Sequence, residues 1–295
     1  MSITKYQVFL NTVELGSLTK TAEALNLTQS GVSHAIASLE AEFGFLLLIR
    51  DRAGIRLTSN GERLLRYVRD ILQANERLKQ EVAAINGLET GTVRIGSFAS
   101  VSTQWLPPIL QEFQRQHPSI ELKLLEGDYD DIDRWIANGS VDFGFISAPS
   151  SKAFEIMPLN RDRMLCILPL GHPLGKKPFI TFAEIKNEPF IMPAWGKDDD
   201  VRRLLQKNKI VPKVKFEVAE DRTIIAMVQS GLGISILPEM VLFRLADGLH
   251  TLELEKPHFR TIGIAAPSLT AISPAAKKVI AGVRTWLETQ ALLEY

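Results

Sequence analysis

The chain has one cysteine, Cys166, in 295 residues. An internal disulfide framework is therefore excluded, and a reducing compartment fits this cysteine usage. It also lacks a net charge, because 34 basic residues face 34 acidic ones, so no global field marks it for nucleic acid or an anionic membrane. No basic start leads into an apolar stretch, and no apolar run approaches the ~18 residues of a membrane span. These absences lead us to expect a soluble, cytoplasmic protein with no membrane partner. The five histidines, His34, His117, His172, His250 and His258, are scattered without a short metal-ligand spacing. Gly231-Leu232-Gly233 lacks the third glycine and the opening strand of a dinucleotide loop and reads as a helix-to-strand turn. Cys166 falls in an expected strand with no resolving thiol in sequence. Neither metal, cofactor nor catalytic constellation is called for, and the reading is of a protein that is not an enzyme. There is no internal repeat or low-complexity tract.

What is present divides the chain in three. Ser17 is placed to cap a helix carrying Leu18, Ala22 and Leu25, and Thr28 to cap a second in which Val32, Ile36, Leu39 and Phe43 recur at steps of four, three and four. That stripe leaves Gln29, Ser30, Ser33 and His34 uncovered in the first turn and a half. Two short helices with donors and acceptors at the start of the second suit the major groove, where Gln can bond adenine bidentately. Apolar β-formers at 46–50 and 55–58 then flank the Gly-containing turn at 51–54 and predict a hairpin, the wing of a winged helix-turn-helix. Its Arg50, Arg52 and Arg56 are placed to neutralise phosphates. Against this, residues 1–58 hold five basic and five acidic side chains, so a strong basic footprint is missing.

Ser59 to Glu62 fits a capping box, and beyond it Leu64, Val68, Ile71, Asn75, Leu78, Val82 and Ile85 repeat at steps of four and three before Gly87 and Gly91. A lone stripe can pack on its own domain, but its place between two domains and its polar Asn75 favour pairing of two chains. After Gly91 strands and helices alternate. Strands are expected near 92–98, 120–125, 141–146, 163–168, 190–192, 214–218, 234–237 and 261–265, with helices near 102–117, 130–138, 199–207, 221–230 and 274–290, which predicts mostly parallel α/β sheets.

Residues 17–61, SLTKTAEALNLTQSGVSHAIASLEAEFGFLLLIRDRAGIRLTSNG, closely resemble the N-terminal signature of LysR-type transcriptional regulators. Thr21-Ala22, Gln29, Val32-Ser33, Leu39-Glu40, Gly44, Arg50, Leu57-Thr58 and Gly61 carry the match. His34 stands where the family often has Arg, and Leu48 where it usually has Phe. More loosely, WLPPILQEFQRQHPSIELKLLEGD, VDFGFI, GHPL and MVQSGLGISILPE look like the LysR effector domain, related to type 2 periplasmic binding proteins.

The resemblance implies an all-α winged helix-turn-helix at 1–58, a linker helix for dimerisation at 59–90, and an effector domain at 91–295. That domain would have two α/β subdomains, 91–162 with 267–295 and 163–266, joined by two crossing strands. It implies double-stranded DNA, a small-molecule effector, a second copy of the chain as homodimer or homotetramer, and RNA polymerase as partners. In the family the linker pairs antiparallel, so Asn75 need not face Asn75. An effector in the cleft would lie beside strand ends and helix N-termini, which favours an anion. Ser97, Ser100, Ser102 and Thr103 cluster where the first helix should begin. Glu126, Ser147, Pro193, Trp195 and Glu220 are expected to face them, and the two glutamates sit poorly with a purely anionic ligand. A solute-binding protein or enzyme on the same α/β body is the rival reading, and it leaves the N-terminal module unexplained.

Overall fold

A computed structural model describes residues 2–51, 54–150, 153–196, 200–243 and 247–294. The chain divides into two compact units, residues 1–91 with 138–140, and the remainder.

The first unit begins with a helix the sequence pattern did not announce, α1 (Ile3–Leu15), which buries Tyr6, Val8, Phe9 and Thr12. Its buried face includes a threonine, whose hydroxyl is satisfied by Val8 O at 2.7 Å, and this obscures the apolar period. Then come α2 (Leu18–Leu25) and α3 (Gln29–Phe43), joined through Asn26 in the left-handed region. Ser17 accepts from Lys20 N, and Thr28 accepts from Gly31 N at 3.0 Å, so both expected caps form. Val32, Ile36 and Leu39 are fully buried with Phe9 in one core. The antiparallel wing is β1 (Leu48–Asp51) with β2 (Gly54–Leu57), two residues further along on its first strand than expected. The shift arises because Leu47 N and Leu48 N both donate to Glu40 Oε1 of α3, at 2.8 and 3.1 Å, holding the approach to the strand against the helix.

The long helix α4 (Ser59–Ile85) starts on Thr58, whose hydroxyl accepts from Gly61 N at 3.0 Å. The cap thus lies one residue before the expected box at Ser59, and Gly61 occupies the position where a reciprocal Glu would stand. The apolar stripe of this helix has two destinations. Val68 is buried and Leu64 half-buried, together with Leu72, in the core of the helix-turn-helix itself. For these two the expectation of a free pairing seam is corrected: they close their own domain. Ile71, Leu78, Val82 and Ile85 remain exposed, Leu78 at 64% and Ile85 at 82%, and Asn75 is half-buried.

The second unit runs β3 (Gly91–Ser97), α5 (Ala99–Gln104), α6 (Leu106–Gln116), β4 (Ile120–Glu126), α7 (Tyr129–Ala137), β5 (Phe143–Ala148) and the 15-residue β6 (Glu155–Pro169). There follow β7 (Phe179–Ile180), α8 (Phe182–Asn187), β8 (Pro189–Pro193), α9 (Asp200–Lys207), β9 (Lys213–Val218), α10 (Asp221–Gln229), β10 (Ser235–Pro238), α11 (Glu239–Leu242), β11 (Leu249–Leu254), β12 (Phe259–Ala266) and α12 (Pro274–Thr289). The single helix expected over 102–117 is two, broken at Trp105, because Pro stands in the opening turn of α6, where its missing N–H costs nothing.

The sheets are mixed rather than mostly parallel. β3 pairs β5, β8 pairs β9 and β11 pairs β7 in parallel, but β12 is antiparallel to both β5 and β6, and β6 is antiparallel to β10 and β11. β6 makes the difference. Up to Arg163 it pairs with β12, and from Met164 it pairs with β10, so one strand belongs to both halves of the unit. Because β12 already pairs with β5 and buries Ile262, Ile264 and Ala265 in the first half's core, the return crossing falls before Phe259, earlier than the expected boundary after 266. In the second half β6 is buried on both faces: Met164, Cys166 and Leu168 point into one core and Leu165 and Ile167 into another, the period of two of a strand. Gly231-Leu232-Gly233 is the turn from α10 to β10, and a Cβ on Gly233 would meet Pro189 O at 2.6 Å.

At Gly61 a Cβ would lie 2.3 Å from the backbone oxygen of Leu47, so the helix start and the wing are packed backbone to side. Gly61→Ala should destabilise the N-terminal unit by about 1–3 kcal/mol, the usual cost of overpacking. Urea denaturation followed by circular dichroism measures it, and a variant as stable as wild type would show that the wing and α4 separate freely.

Candidate functional site

On the first unit, Gln29, Ser30 and His34 are exposed and Ser33 is half-buried, all in the opening turns of α3. Arg50 of β1 donates from Nη1 to Ser33 Oγ at 3.1 Å, which sets the wing beside the exposed end of α3. Thr28 and Ser30 share a hydroxyl hydrogen bond of 3.1 Å, so Ser30 is partly committed to the cap. Arg56 is paired with Asp51, which offsets its charge in the unbound chain. Arg52 lies outside the described residues. The result is a ridge of amide, hydroxyl and imidazole groups with a guanidinium alongside, free of apolar cover.

On the second unit, a cavity of about 570 Å³ opens between the two halves. That is within the ~300–1,000 Å³ range of small-molecule sites. Of the residues expected to contact an effector, Ser100, Thr103, Glu126, Trp195 and Glu220 line it. Ser97, Ser102, Ser147 and Pro193 are not in its wall. Ser97 ends β3 fully buried, with its carbonyl accepting from Gly127 N at 3.1 Å. Ser102 Oγ is buried without a hydrogen-bond partner among the described residues. Ser147 donates to Asp200 Oδ1 at 2.6 Å, and Pro193 closes β8 buried in place. Thr103 is exposed and donates to Ala99 O at 2.6 Å within its own helix.

Sequence reasoning missed the group at the centre. Arg260, 3% exposed, lines the cavity from β12. Its Nε donates to Asp162 Oδ2 at 2.9 Å, Nη2 lies 2.7 Å from the same oxygen and 2.7 Å from Ser100 Oγ, and Nη1 donates to Tyr129 at 3.0 Å. Arg260 and Asp162 face each other in the register of β12 and β6. The other oxygen of Asp162 accepts from Met240 N at 3.1 Å. Tyr129 in turn donates to Asp200 Oδ2 at 2.7 Å, and Arg203 reaches Asp200 Oδ1 at 2.5 Å. Burial works against the charge on Arg260, but Tyr129, Asp162 and Asp200 outweigh it and its pKa is raised. Burial, with Asp200 beside it, holds the Tyr129 phenol well above its ordinary range. Asp221, which accepts from Trp195 Nε1 at 2.8 Å, is pushed up to about 6 by burial. Asp162 and Arg260 stand just outside the strands expected at 163–168 and 261–265, and only the register of β6 and β12 brings the charges together.

This network links the halves. Tyr129 and Ser147 belong to the first and Asp200 to the second, and Tyr129 N also donates to Trp195 O at 3.1 Å. Cys166 is fully buried, and burial raises its thiol pKa, which opposes the thiolate that redox chemistry requires.

Asp162→Ala leaves the guanidinium of Arg260 buried beside no carboxylate of its own, and should destabilise the second unit by about 3–5 kcal/mol. The paired change Asp162→Leu with Arg260→Met removes both charges and should recover most of that loss. Denaturant midpoints of the single and double variants are the measurement, and a double variant as unstable as the single would mean the pair is not what the region depends on.

The comparisons with known proteins agree for both parts of the chain. Residues 3–62 match the model described as "Bacterial regulatory helix-turn-helix protein, lysR family", and residues 86–288 match "LysR substrate binding domain". An HTH-type transcriptional regulator of Bacillus subtilis, YvbU, is 36% identical over 283 residues, covering 95% of this chain and 97% of that one. Among solved structures, full-length OxyR C199D of Pseudomonas aeruginosa superposes with a TM-score of 0.79 at 21% identity, covering 98% and 95% of the two chains. Full-length CbnR complexed with its target DNA gives 0.66 at 20% identity, covering 97% and 100%. With both family models and a relative of this identity spanning it, the chain belongs to the LysR family of DNA-binding transcriptional regulators.

Proposed function

We propose that the cavity of the second unit holds a small-molecule effector, and that its occupancy changes how the regulator binds promoter DNA. The observation that carries this reading is the 570 Å³ cavity, lined by a buried Arg260 that holds Asp162, Ser100 and Tyr129, the last of which bonds Asp200 of the other half. An effector that competes for Tyr129 or Trp195 acts on the contacts that hold the halves as they stand, and so shifts their population. Ser100, Thr103, Glu126, Trp195 and Glu220 are its contacts, with Arg260 and Asp221 added. DNase footprinting on DNA flanking the protein's own gene, with and without candidate metabolites, tests the coupling. An identical footprint in every condition would count against it.

DNA is read by Gln29, Ser30, Ser33 and His34 of α3, with Arg50 and Arg56 on neighbouring phosphates. The exposed Ile71, Leu78, Val82 and Ile85 of α4 pair two copies of the chain, so that two reading heads meet two half-sites. The regulator works in the cytoplasm as a homodimer or homotetramer and acts with RNA polymerase.

Gln29→Ala should reduce affinity for the specific site by about 1–3 kcal/mol, the worth of a bidentate base contact, and leave scrambled duplex nearly unaffected. Parallel titrations of the two duplexes decide this; an equal loss on both would remove the base-reading role. Leu78→Lys should abolish pairing, since burying the ammonium in the seam without a partner is strongly unfavourable. Leu78 is already exposed in the single chain, so the fold should be untouched. Sedimentation analysis with circular dichroism measures both, and an unchanged oligomer would place the pairing surface elsewhere.

A further inference from the structure

Among the described residues, four carboxylates stand in the cavity wall: Glu126, Asp128, Glu220 and Asp221. Asp128 is engaged by Asp131 N at 2.7 Å, and Asp221 by Trp195 Nε1 at 2.8 Å. The side chains of Glu126 and Glu220 make no hydrogen bond or ion pair among the described residues. Two guanidiniums face these acids. Arg260 is already neutralised by Asp162 and holds Tyr129 and Ser100 as well. Among the described residues, only Arg222, exposed in the first turn of α10, is an uncommitted cation in the wall.

The positive end of α10, which would otherwise attract an anion, is flanked by Glu220 at its cap and Asp221 in its first turn. An anionic ligand would therefore enter a wall with an excess of unneutralised carboxylate. Aromatic rings share the wall with the acids: Tyr129 and Trp195 have ring centroids 6.5 Å apart. Carboxylates with aromatic faces form the surroundings in which an organic cation is held, by charge and by the ring quadrupole.

Resting on the reading of this cavity as the effector site, we propose that the effector carries an ammonium or guanidinium group, held among Glu126, Glu220 and Asp221 beside Trp195. This replaces the anion that the helix N-termini alone would favour. The volume of about 570 Å³ admits a multi-carbon body behind the charged group.

The test uses the full chain and two matched probes, phenethylamine and 3-phenylpropionate, followed by calorimetry or ligand-observed NMR. Phenethylamine should bind at least about tenfold more tightly, a difference of ~1.4 kcal/mol. The double change Glu220→Gln with Asp221→Asn should erase that preference while leaving the circular dichroism spectrum unchanged. Equal binding of the two probes, preference for the carboxylate, no saturable binding of the amine at millimolar concentration, or a preference that survives the double change would each overturn the proposal. A second arm separates it from the effector reading itself. Ala219→Trp fills the cavity, and its footprint on DNA flanking the gene is compared with that of wild type with and without phenethylamine. Amine preference with a footprint that neither filling nor amine alters leaves the charge assignment standing and removes the effector role. A footprint altered by filling, without amine preference, does the reverse.

Discussion

The second unit is organised around one ion pair that it could not tolerate unless nearly everything near it cooperated. Arg260 and Asp162 are register partners on antiparallel strands, both nearly sealed from solvent. Taking two such charges out of water costs several kcal/mol per ion, and their attraction offsets this only when the remaining donors and acceptors are satisfied. Here they are: one carboxylate oxygen takes the guanidinium and the other takes Met240 N, while the guanidinium also serves Tyr129 and Ser100. The pair sits two residues before β6 exchanges β12 for β10, where one half of the unit passes into the other.

The consequences extend outward from that point. Tyr129, held by Arg260, reaches Asp200 in the other half, and Asp200 also receives Ser147 and Arg203. A low-dielectric surrounding strengthens each of these bonds and makes each unpaired group costly, so the network favours discrete arrangements over gradual drift. The cavity lies against this network rather than apart from it, with Arg260, Ser100 and Tyr129 common to both.

The first unit depends on a different economy of contacts. Glu40 of α3 accepts two backbone N–H groups from the approach to the wing, and Arg50 of the wing returns a bond to Ser33 of α3. Helix and hairpin are thereby set side by side with their polar groups outward, a geometry suited to groove and phosphate together. The long helix begins by closing this domain with Leu64, Val68 and Leu72, and carries an exposed apolar stripe onward from Ile71.

Local chemistry was sufficient for much of this. The caps at Ser17 and Thr28, the stripe of Val32, Ile36 and Leu39, the wing and the long linker all follow from period and capping, which act within a few residues. Five of the nine expected effector contacts, Ser100, Thr103, Glu126, Trp195 and Glu220, lie in the cavity wall. The family's chain order supplied these, not any periodicity. What sequence could not supply is whatever depends on pairing at long range. The antiparallel course of β12 between β5 and β6 cannot be read from alternation, because parallel and antiparallel strands share the same period. Nor could Arg260 be matched to Asp162, since 98 residues separate them and only strand register decides which charges meet. The same holds for the linker stripe: its spacing established one face, but whether Val68 met its own domain and Leu78 solvent depended on how far α1 to α3 reach along it, a matter of tertiary packing alone.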